Sequence, residues 1–369
     1  MPENEDIVYL DAKTLENFMR DVFIGLGVPE EDAKIIAEVL ITSDIRGIDT
    51  HGVQRCKMYY DRIKQGIYEV KTKIDVVNDG PTTALWDGNS GMGHVIAYKA
   101  MKEAISKARK YGLGAVAVRN STHFGIAGYY SLMAIKEGMI GLTTTNARPS
   151  IPPTFGVEPM LGTNPLTFGA PTDEEFPFCL DCATSIIQRG KVELYERLDK
   201  DIPEGLVIDD EGKTMRKPSK ILEKMLERKA ALLPLGGQGE EKSGYKGYGY
   251  ATIVELLSAA LQDGIYLRDT LGIEEGGQKR LKVGHFFLAI NVESFLPVNT
   301  FKETAGNIMR GLRSAKKEPG AKEIFTAGEK EFRIEKDRRE KGIPINKSIQ
   351  NDIKLMKEEL GLEQYKFSF

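Results

Sequence analysis

The chain has 369 residues, of which 41% are hydrophobic and 28% are charged, and its formal net charge is −3. This composition is typical of a globular protein with a large core, and the charge balance gives no reason to expect nucleic acid or an anionic membrane as a partner. Its three cysteines predict a reducing, cytoplasmic location, and no apolar run approaches the roughly 20 residues of a transmembrane helix.

Two amphipathic helices are predicted near the start of the chain. They follow an acidic segment, residues 1–6, that lacks an apolar core and therefore predicts no signal peptide. The first helix covers residues 11–26 and is followed directly by a glycine. The second has Pro29 in its first turn, and three acidic residues there suit the positive end of a helix dipole.

A third helix is predicted from His51 through residue 64. One of its faces, with spacings of four, four and three residues, carries His51, Arg55, Tyr59 and Arg62. Such a face suits a bound carboxylate, because an arginine can contact both oxygens while imidazole and phenol groups donate single hydrogen bonds. The alternative is a solvated helix face with surface ion pairs.

A glycine-rich turn, residues 88–93, lies between a predicted strand, 83–86, and a predicted helix, 95–111. Its spacing is Gly-x-x-Gly-x-Gly, which differs from the dinucleotide-binding fingerprint of a Rossmann fold. No acidic residue ends the following strand, 115–118, where a ribose would be bound. We therefore favour a tight turn without a cofactor role, with His94 as a polar residue of that turn.

His123 lies between that strand and a predicted helix, 126–137, which the polar turn 120–122 could cap. The positive end of a helix favours the neutral form of a histidine, which can still exchange a proton near neutral pH. Strand, polar turn, histidine and helix is a common arrangement at an active-site edge of an α/β domain. The alternative is a turn histidine whose hydrogen bonds are satisfied.

Further strands and helices are predicted at 139–145, 178–182, 251–261, 284–292, 301–317 and 350–360, with a polar surface excursion at 199–229. Asp181 could bond a cofactor or cap a helix. Cys179 and Cys182 would point to opposite faces of their strand and lack a second pair, which argues against a metal site. Lys246, among glycines before a helix, could bind a phosphate or belong to a flexible loop.

The segment from Asp44 to Gly52, followed by Arg55, resembles the signature of the type 2 malate/L-lactate dehydrogenases. That family also contains sulfolactate and ureidoglycolate dehydrogenases and some keto-acid and cyclic-imine reductases. Further segments are similar to its other motifs and occur in the same order, namely 123–125 with 127–129, 162–165, 181 with 183–185, 246–249 and 328–329. This chain departs from the usual pattern at Thr50, at Cys182 and in extra length at 240–243.

The resemblance implies an α/β fold without a classical Rossmann domain. It implies a nucleotide-binding domain with a mixed, largely antiparallel seven-stranded sheet flanked by helices, plus a helical domain built from both chain ends. We expect residues 79–299 to form the NAD-binding domain, and residues 1–78 and 300–369 to form the substrate and dimerisation domain of a homodimer. The cofactor contacts that the resemblance implies are Asn146, Ala147, Asp181, Cys182, Ala183, Lys246, Gly328 and Glu329.

Together these features predict an NAD-dependent dehydrogenase that interconverts a small 2-hydroxy acid and its 2-oxo acid, with NADP left open. His123 is the first candidate for the proton donor and acceptor, and His51 is the second. Arg55 is expected to contact the 1-carboxylate with support from Tyr59. Arg148 could contact a second carboxylate, which favours malate over lactate.

Three other functions were weighed against this prediction. A reductase of another 2-oxo acid or of a cyclic imine carboxylate would use the same clamp and proton donor. A non-catalytic nucleotide-binding protein is disfavoured because the acid, clamp and cofactor positions are all filled. A zinc hydrolase is disfavoured because the spacing of the histidines is not that of metal ligands. The four histidines are His51, His94, His123 and His285.

Overall fold

The computed structural model describes residues 7–369, apart from the side chain of Arg197. Residues 1–6, on which the expectation of no signal peptide rests, lie outside the described part. The described α-helices are α1 (Ala12–Gly25), α2 (Glu30–Ile45), α3 (Val53–Lys64), α4 (Gly93–Tyr111), α5 (Ala127–Lys136), α6 (Arg189–Arg197), α7 (Pro218–Leu226), α8 (Gly244–Ser258), α9 (Val298–Arg313), α10 (Glu329–Lys341) and α11 (Lys347–Leu360). The described strands are β1 (Val8–Leu10), β2 (Asp75–Asp79), β3 (Thr83–Asp87), β4 (Leu113–Ser121), β5 (Met139–Thr145), β6 (Leu166–Ala170), β7 (Phe178–Cys182), β8 (Val207–Asp209), β9 (Ala230–Leu232), β10 (Ile273–Glu275), β11 (Gln278–Arg280), β12 (Val283–Asn291) and β13 (Ile343–Ile345).

A seven-stranded sheet with the order β2-β3-β4-β12-β5-β6-β7 forms the centre of the molecule. Five of its six strand pairings are antiparallel, and the pairing of β3 with β4 is parallel. The predicted mixed, largely antiparallel sheet is therefore confirmed, and β12 lies in its middle. Strand β4 ends at Ser121, so His123 lies two residues beyond the end of a strand of this sheet.

The helical part of the fold is built from both chain ends, as predicted. Strand β1 pairs antiparallel with β13, and helices α1, α2, α3 and α11 share one apolar core. Phe18, Phe23 and Tyr59 are completely buried in it. A second core forms where α4 and α5 pack on the sheet. The domain limits given above remain a prediction.

The predicted surface excursion is folded, with a small core of its own. Its helix α7 packs on α6, which precedes the excursion, and its strand β8 pairs antiparallel with β9, which follows it. Neither helix was predicted, although α7 has a clear apolar stripe, formed by Ile221, Leu222, Met225 and Leu226. Helix α10 was also missed, because most of its residues are charged and its apolar period is weak.

Two local predictions about helix starts are wrong. Helix α8 begins at Gly244 rather than at residue 251, so the glycine motif around Lys246 lies inside the helix. The turn 120–122 does not cap α5. Thr122 Oγ1 instead accepts a hydrogen bond of 2.9 Å from the backbone N–H of Gly93, at the start of α4.

Within residues 7–369, no helix is long and apolar enough to cross a membrane. The same residues contain no group of three or more His, Cys, Asp or Glu side chains that could hold a metal ion. Cys179 and Cys182 are free thiols, of which Cys179 is buried and Cys182 is half-buried.

Candidate active site

The segment between α2 and α3 folds into a tight turn that ends at His51. The buried Asp44 carboxylate accepts a hydrogen bond of 2.8 Å from the Val53 N–H and so caps α3. Position 52 needs a glycine, since a Cβ atom on Gly52 would lie 1.9 Å from Asp44 Oδ1. His51 belongs to a 3₁₀ turn, Asp49–His51, and thus lies just before α3 rather than on it as predicted.

His51 and His123 lie together although they are distant in the sequence. Their rings stack with centroids 5.7 Å apart and planes inclined by 22°. Thr50 Oγ1 lies 2.9 Å from His51 Nδ1, and Tyr59 Oη lies 2.5 Å from His123 Nδ1. Neither Nε2 atom has a hydrogen-bond partner among the described residues, and neither is a buried unpaired atom. Both rings are therefore held through Nδ1, which leaves Nε2 available to a ligand.

The hydrogen bonds at His123 define its neutral tautomer. Burial raises the pKa of the completely buried Tyr59 well above its usual range, so its phenol keeps its proton. The Tyr59 O–H and, at 3.4 Å, the Gly125 N–H both point at Nδ1. Because two donors converge there, Nδ1 accepts, and the proton of the neutral ring is assigned to Nε2. Tyr59 was expected to support a substrate carboxylate, but its hydroxyl contacts His123 instead.

Three arginines give this region a positive charge. Arg55 Nε donates a hydrogen bond of 2.7 Å to the Thr50 carbonyl, and Arg62 donates to the Tyr68 hydroxyl. Arg148 is exposed, yet the protein around it removes part of its water, and this desolvation together with the charge of Arg62 lowers its pKa. Among the described residues, none of the three has a carboxylate within ion-pair distance, so all three are available to an anion.

Burial and the nearby positive charges keep the two histidines neutral. Burial, with a smaller contribution from the charge of Arg55, lowers the pKa of His51 to about 4. Burial first, and then the charges of His51 and Arg55, hold the pKa of His123 well below its usual range. An anion bound at the arginines would oppose their charge and so raise both pKa values, while the effect of burial, which is the larger cause, would remain.

The side chain of Asn146, a predicted cofactor contact, is occupied by the protein. It is buried; its Oδ1 accepts a hydrogen bond of 2.9 Å from the Gly284 N–H, and its Nδ2 donates one of 2.8 Å to the Ile265 carbonyl. The next residue, Ala147, donates its N–H to Asn164 Oδ1 at 3.1 Å. These bonds fix the loop that carries Arg148. The Thr270 hydroxyl also donates a hydrogen bond of 3.2 Å to the Ala147 carbonyl, so Ala147 can meet a ligand as a half-buried residue but has no free backbone polar group.

Asp181 caps a helix, which was the alternative interpretation of this residue. Its carboxylate accepts hydrogen bonds of 2.7 Å from the Gly128 N–H, in the first turn of α5, and of 3.0 Å from Thr167 Oγ1. Burial raises its pKa, while these two donors oppose that effect. Cys182 and Ala183 follow it and are half-buried.

The remaining predicted cofactor contacts lie at two helix starts. Lys246 is exposed in the first turn of α8, and it has no ion-pair partner in the described part of the chain. Gly328 is the residue before α10 and has a left-handed backbone with φ of 93°. Glu329 is buried, accepts a hydrogen bond from the Thr326 N–H at 3.2 Å, and pairs with Arg333 at 2.7 Å.

Arg62, Tyr68 and His94 also belong to this region but were not assigned a role from the sequence. The helical spacing placed Arg62 on the face of Arg55, so that signal was present. Tyr68 gave no signal. His94 was predicted to be a polar turn residue, but it is completely buried on α4, and its ring packs edge-on against Tyr59 with centroids 4.7 Å apart.

The site combines two functions in one place. Its unpaired guanidinium groups can bind an anionic group through paired, charge-assisted hydrogen bonds. Its two imidazoles present free Nε2 atoms that can donate a hydrogen bond or a proton to a neighbouring oxygen. This combination suits a small acid that carries a carboxylate next to a hydroxyl or carbonyl group.

Comparisons with known proteins agree with this chemistry. The sequence profile of the family described as malate/L-lactate dehydrogenase matches residues 10–354. The chain is 43% identical over 360 residues to a malate dehydrogenase of Pyrococcus abyssi, with 98% of this chain and 97% of that protein covered. It is 39% identical over 363 residues to an L-sulfolactate dehydrogenase of Methanocaldococcus jannaschii, with 98% and 97% covered. The crystal structure of a malate dehydrogenase from Entamoeba histolytica superposes with a TM-score of 0.93 at 43% identity, covering 99% of this chain and 100% of that one.

Proposed function

We propose that this chain, which belongs to the malate/L-lactate dehydrogenase family, interconverts malate and oxaloacetate with NAD(H) as the cofactor. Its family makes it a 2-hydroxy acid dehydrogenase that uses a nicotinamide cofactor. The choice of malate rests on one observation. Two imidazoles with free Nε2 atoms lie near Arg55 and Arg62, and Arg148 lies near both of these arginines; none of the three arginines has an acidic partner among the described residues.

Arg55 binds the 1-carboxylate of the substrate in this proposal. Its Nε is already bonded to the Thr50 carbonyl at 2.7 Å, which fixes the guanidinium beside His51 and leaves its remaining N–H groups for two carboxylate oxygens. Arg148 binds the second carboxylate, with Arg62 as a further positive charge nearby. Two anionic contacts favour a dicarboxylate over lactate or pyruvate.

With the anionic substrate bound, His123 carries a proton on both ring nitrogens and gives the Nε2 proton to the carbonyl oxygen of the oxo acid, which leaves a neutral ring with its proton on Nδ1. Tyr59 Oη then accepts a hydrogen bond from Nδ1. His51 is the second candidate for the proton donor. Tyr59 contributes by fixing His123 through Nδ1, rather than by contacting the substrate. In the reverse direction the neutral ring, with its proton on Nδ1 and a free lone pair on Nε2, accepts the proton of the 2-hydroxyl group at Nε2. Bound NADH supplies the hydride, so the protein has only to orient the acid and move one proton.

Some predicted cofactor contacts fit a nicotinamide dinucleotide better than others. Lys246 is exposed, unpaired within the described residues and at a helix start, which suits a phosphate group. Ala147, Cys182 and Ala183 are half-buried and can contact the cofactor through their surface. The polar atoms of Asn146, Asp181 and Glu329 are occupied, so we assign these side chains to holding the loops and helix starts around the cofactor.

We further propose a homodimer located in the cytoplasm. The dimer comes from the family resemblance, and the location follows from three cysteines that are free thiols. Light scattering coupled to size exclusion tests the dimer, since a protomer of 41.0 kDa should elute as a particle of twice that mass. A monomeric mass at micromolar concentration would contradict it.

The function is tested by an activity matrix. NADH and NADPH are each combined with oxaloacetate, pyruvate, sulfopyruvate and a cyclic imine carboxylate, and absorbance at the nicotinamide band is followed. We expect the highest kcat/KM for NADH with oxaloacetate. A clear preference for sulfopyruvate or for the imine would replace malate by one of the alternatives. No oxidation of either cofactor with any acid would favour a non-catalytic nucleotide-binding protein.

A further inference from the structure

Helix α10 lies across the turn that carries His51. It touches this turn at three successive points. A Cβ atom on Gly47 would lie 2.9 Å from the Ile334 side chain, so the helix packs directly on the turn backbone. Glu335 forms an ion pair with Arg46 at 3.4 Å. One helical turn later, Arg338 makes the third contact, with Asp49.

Arg338 binds the turn with both arms of its guanidinium group. Its Nη2 donates a hydrogen bond of 3.0 Å to Asp49 Oδ2, and its Nη1 donates to Asp49 Oδ1 and to the Asp44 backbone carbonyl. The side chain of Arg338 is only 11% exposed. A paired arginine–carboxylate contact with this degree of burial fixes orientation as well as distance.

The contact made by Arg338 is close to His51 along the chain and in space. Asp49 and His51 are the first and last residues of the same 3₁₀ turn. Thr50 lies between them, with its Oγ1 at 2.9 Å from His51 Nδ1 and its carbonyl oxygen accepting from Arg55 Nε. Any shift of Asp49 therefore displaces both the imidazole and the support of the guanidinium that binds the carboxylate.

We propose that Arg338 is a positioning residue, which holds the Asp49–His51 turn so that His51 and Arg55 face the same substrate. This inference rests on the proposed function for the roles of those two residues. Arg338 does not contact the substrate in this proposal. It acts from a helix far along the chain and through the turn alone.

The test compares Arg338→Gln with Arg339→Gln as a matched control. Arg339 is the neighbouring residue on α10, is 61% exposed, and pairs only with Glu335 among the described residues. A displacement of reacting groups by about 1 Å can cost on the order of 10²-fold in rate. We expect Arg338→Gln to lower kcat/KM with oxaloacetate by about that factor. NADH binding should stay within twofold, and Arg339→Gln should behave like the wild type.

Two further variants separate positioning from general damage. Arg338→Lys keeps one charged contact and should therefore be faster than Arg338→Gln. If Arg338 acted only through packing, the two variants should lose the same amount of rate. Asp49→Asn removes the partner at a position whose side chain is 47% exposed, so folding should be preserved. The double variant Arg338→Gln/Asp49→Asn should lose little more than either single variant, since both break the same contact.

A readout without turnover keeps this proposal separate from the proposed function. The chain has four histidines, so a carbon–proton spectrum of protein labelled only at histidine Cε1 has four signals, and a His51→Gln variant identifies that of His51. Arg338→Gln should shift the His51 signal and leave that of the completely buried His285 in place. An unshifted His51 signal, or equal kinetics of Arg338→Gln and Arg339→Gln, would overturn the positioning role. Absence of activity in the wild type would overturn the function instead.

Discussion

Replacing Tyr59 by phenylalanine tests the hydrogen bond that orients His123. Tyr59 is completely buried, and phenylalanine keeps its ring in the same space, so packing should be preserved. The substitution removes the O–H that lies 2.5 Å from His123 Nδ1. That atom would keep only the Gly125 N–H at 3.4 Å, which is a long contact.

The size of the effect follows from the cost of an unmet hydrogen bond. Leaving one buried acceptor without its partner costs about 1–3 kcal/mol. The ring of His123 can relieve this cost by turning, and it then no longer presents Nε2 to the carbonyl oxygen. Since about 1.4 kcal/mol corresponds to a factor of ten in rate, we expect kcat to fall roughly 5- to 150-fold.

Steady-state kinetics with NADH and oxaloacetate measure this effect, and Tyr60→Phe is the matched control. Tyr60 is the next residue on α3, is 2% exposed, and directs its hydroxyl to Glu359 rather than to the site. We expect KM for oxaloacetate to change less than kcat in Tyr59→Phe, and both to be unchanged in Tyr60→Phe. Equal kcat values for the two variants would refute the role of this hydrogen bond.

The remaining predictions concern binding, pH and packing. Arg148→Ala should raise KM about 10- to 100-fold for oxaloacetate, because a charge-assisted contact is lost, but less than twofold for pyruvate; equal effects would defeat the dicarboxylate argument. Burial lowers the pKa of His94 to about 3, so the unfolded state binds a proton below pH 6.5 that the folded state does not, and stability is lost as the pH falls. Between pH 7 and pH 5, the free energy of unfolding in urea should fall by about 2 kcal/mol more in the wild type than in His94→Leu. Parallel pH dependences of the two proteins would contradict this. Gly52→Ala should lower unfolding free energy by about 1–3 kcal/mol, because the added Cβ meets the Asp44 carboxylate, whereas Gly249→Ala, which meets nothing within 4 Å, should not.

Local sequence signals were sufficient where they were strong. Strands β5 and β7 were predicted at their observed limits, because their apolar residues alternate or form one buried run bounded by turn residues. The start of α8 was misplaced because glycines lower helix propensity. The structure gives the reason for one of them, since a Cβ on Gly247 would lie 2.3 Å from the Leu235 carbonyl oxygen. Close packing overrode local preference there.

The candidate site was only partly predictable for a different reason. His51, Arg55 and His123 could be proposed from spacing and from the family motif, because their residue types carry chemical meaning. The partners that orient them could not. Tyr59 meets His123 across the chain, and Arg338 meets Asp49 across most of its length, so nothing local connects either pair. Such contacts become visible only once the chain is folded.

The most direct test of the account is the turnover of His123→Gln and His51→Gln, measured beside their NADH affinity. A positioned acid–base group contributes about 10² to 10⁴ in rate, so at least one variant should lose kcat by that amount while NADH fluorescence titrations remain within twofold of the wild type. Loss in His123→Gln supports the first candidate, and loss in His51→Gln alone moves the proton to the second. Wild-type turnover in both variants would contradict the claim that these two imidazoles and Arg55 form a dehydrogenase site.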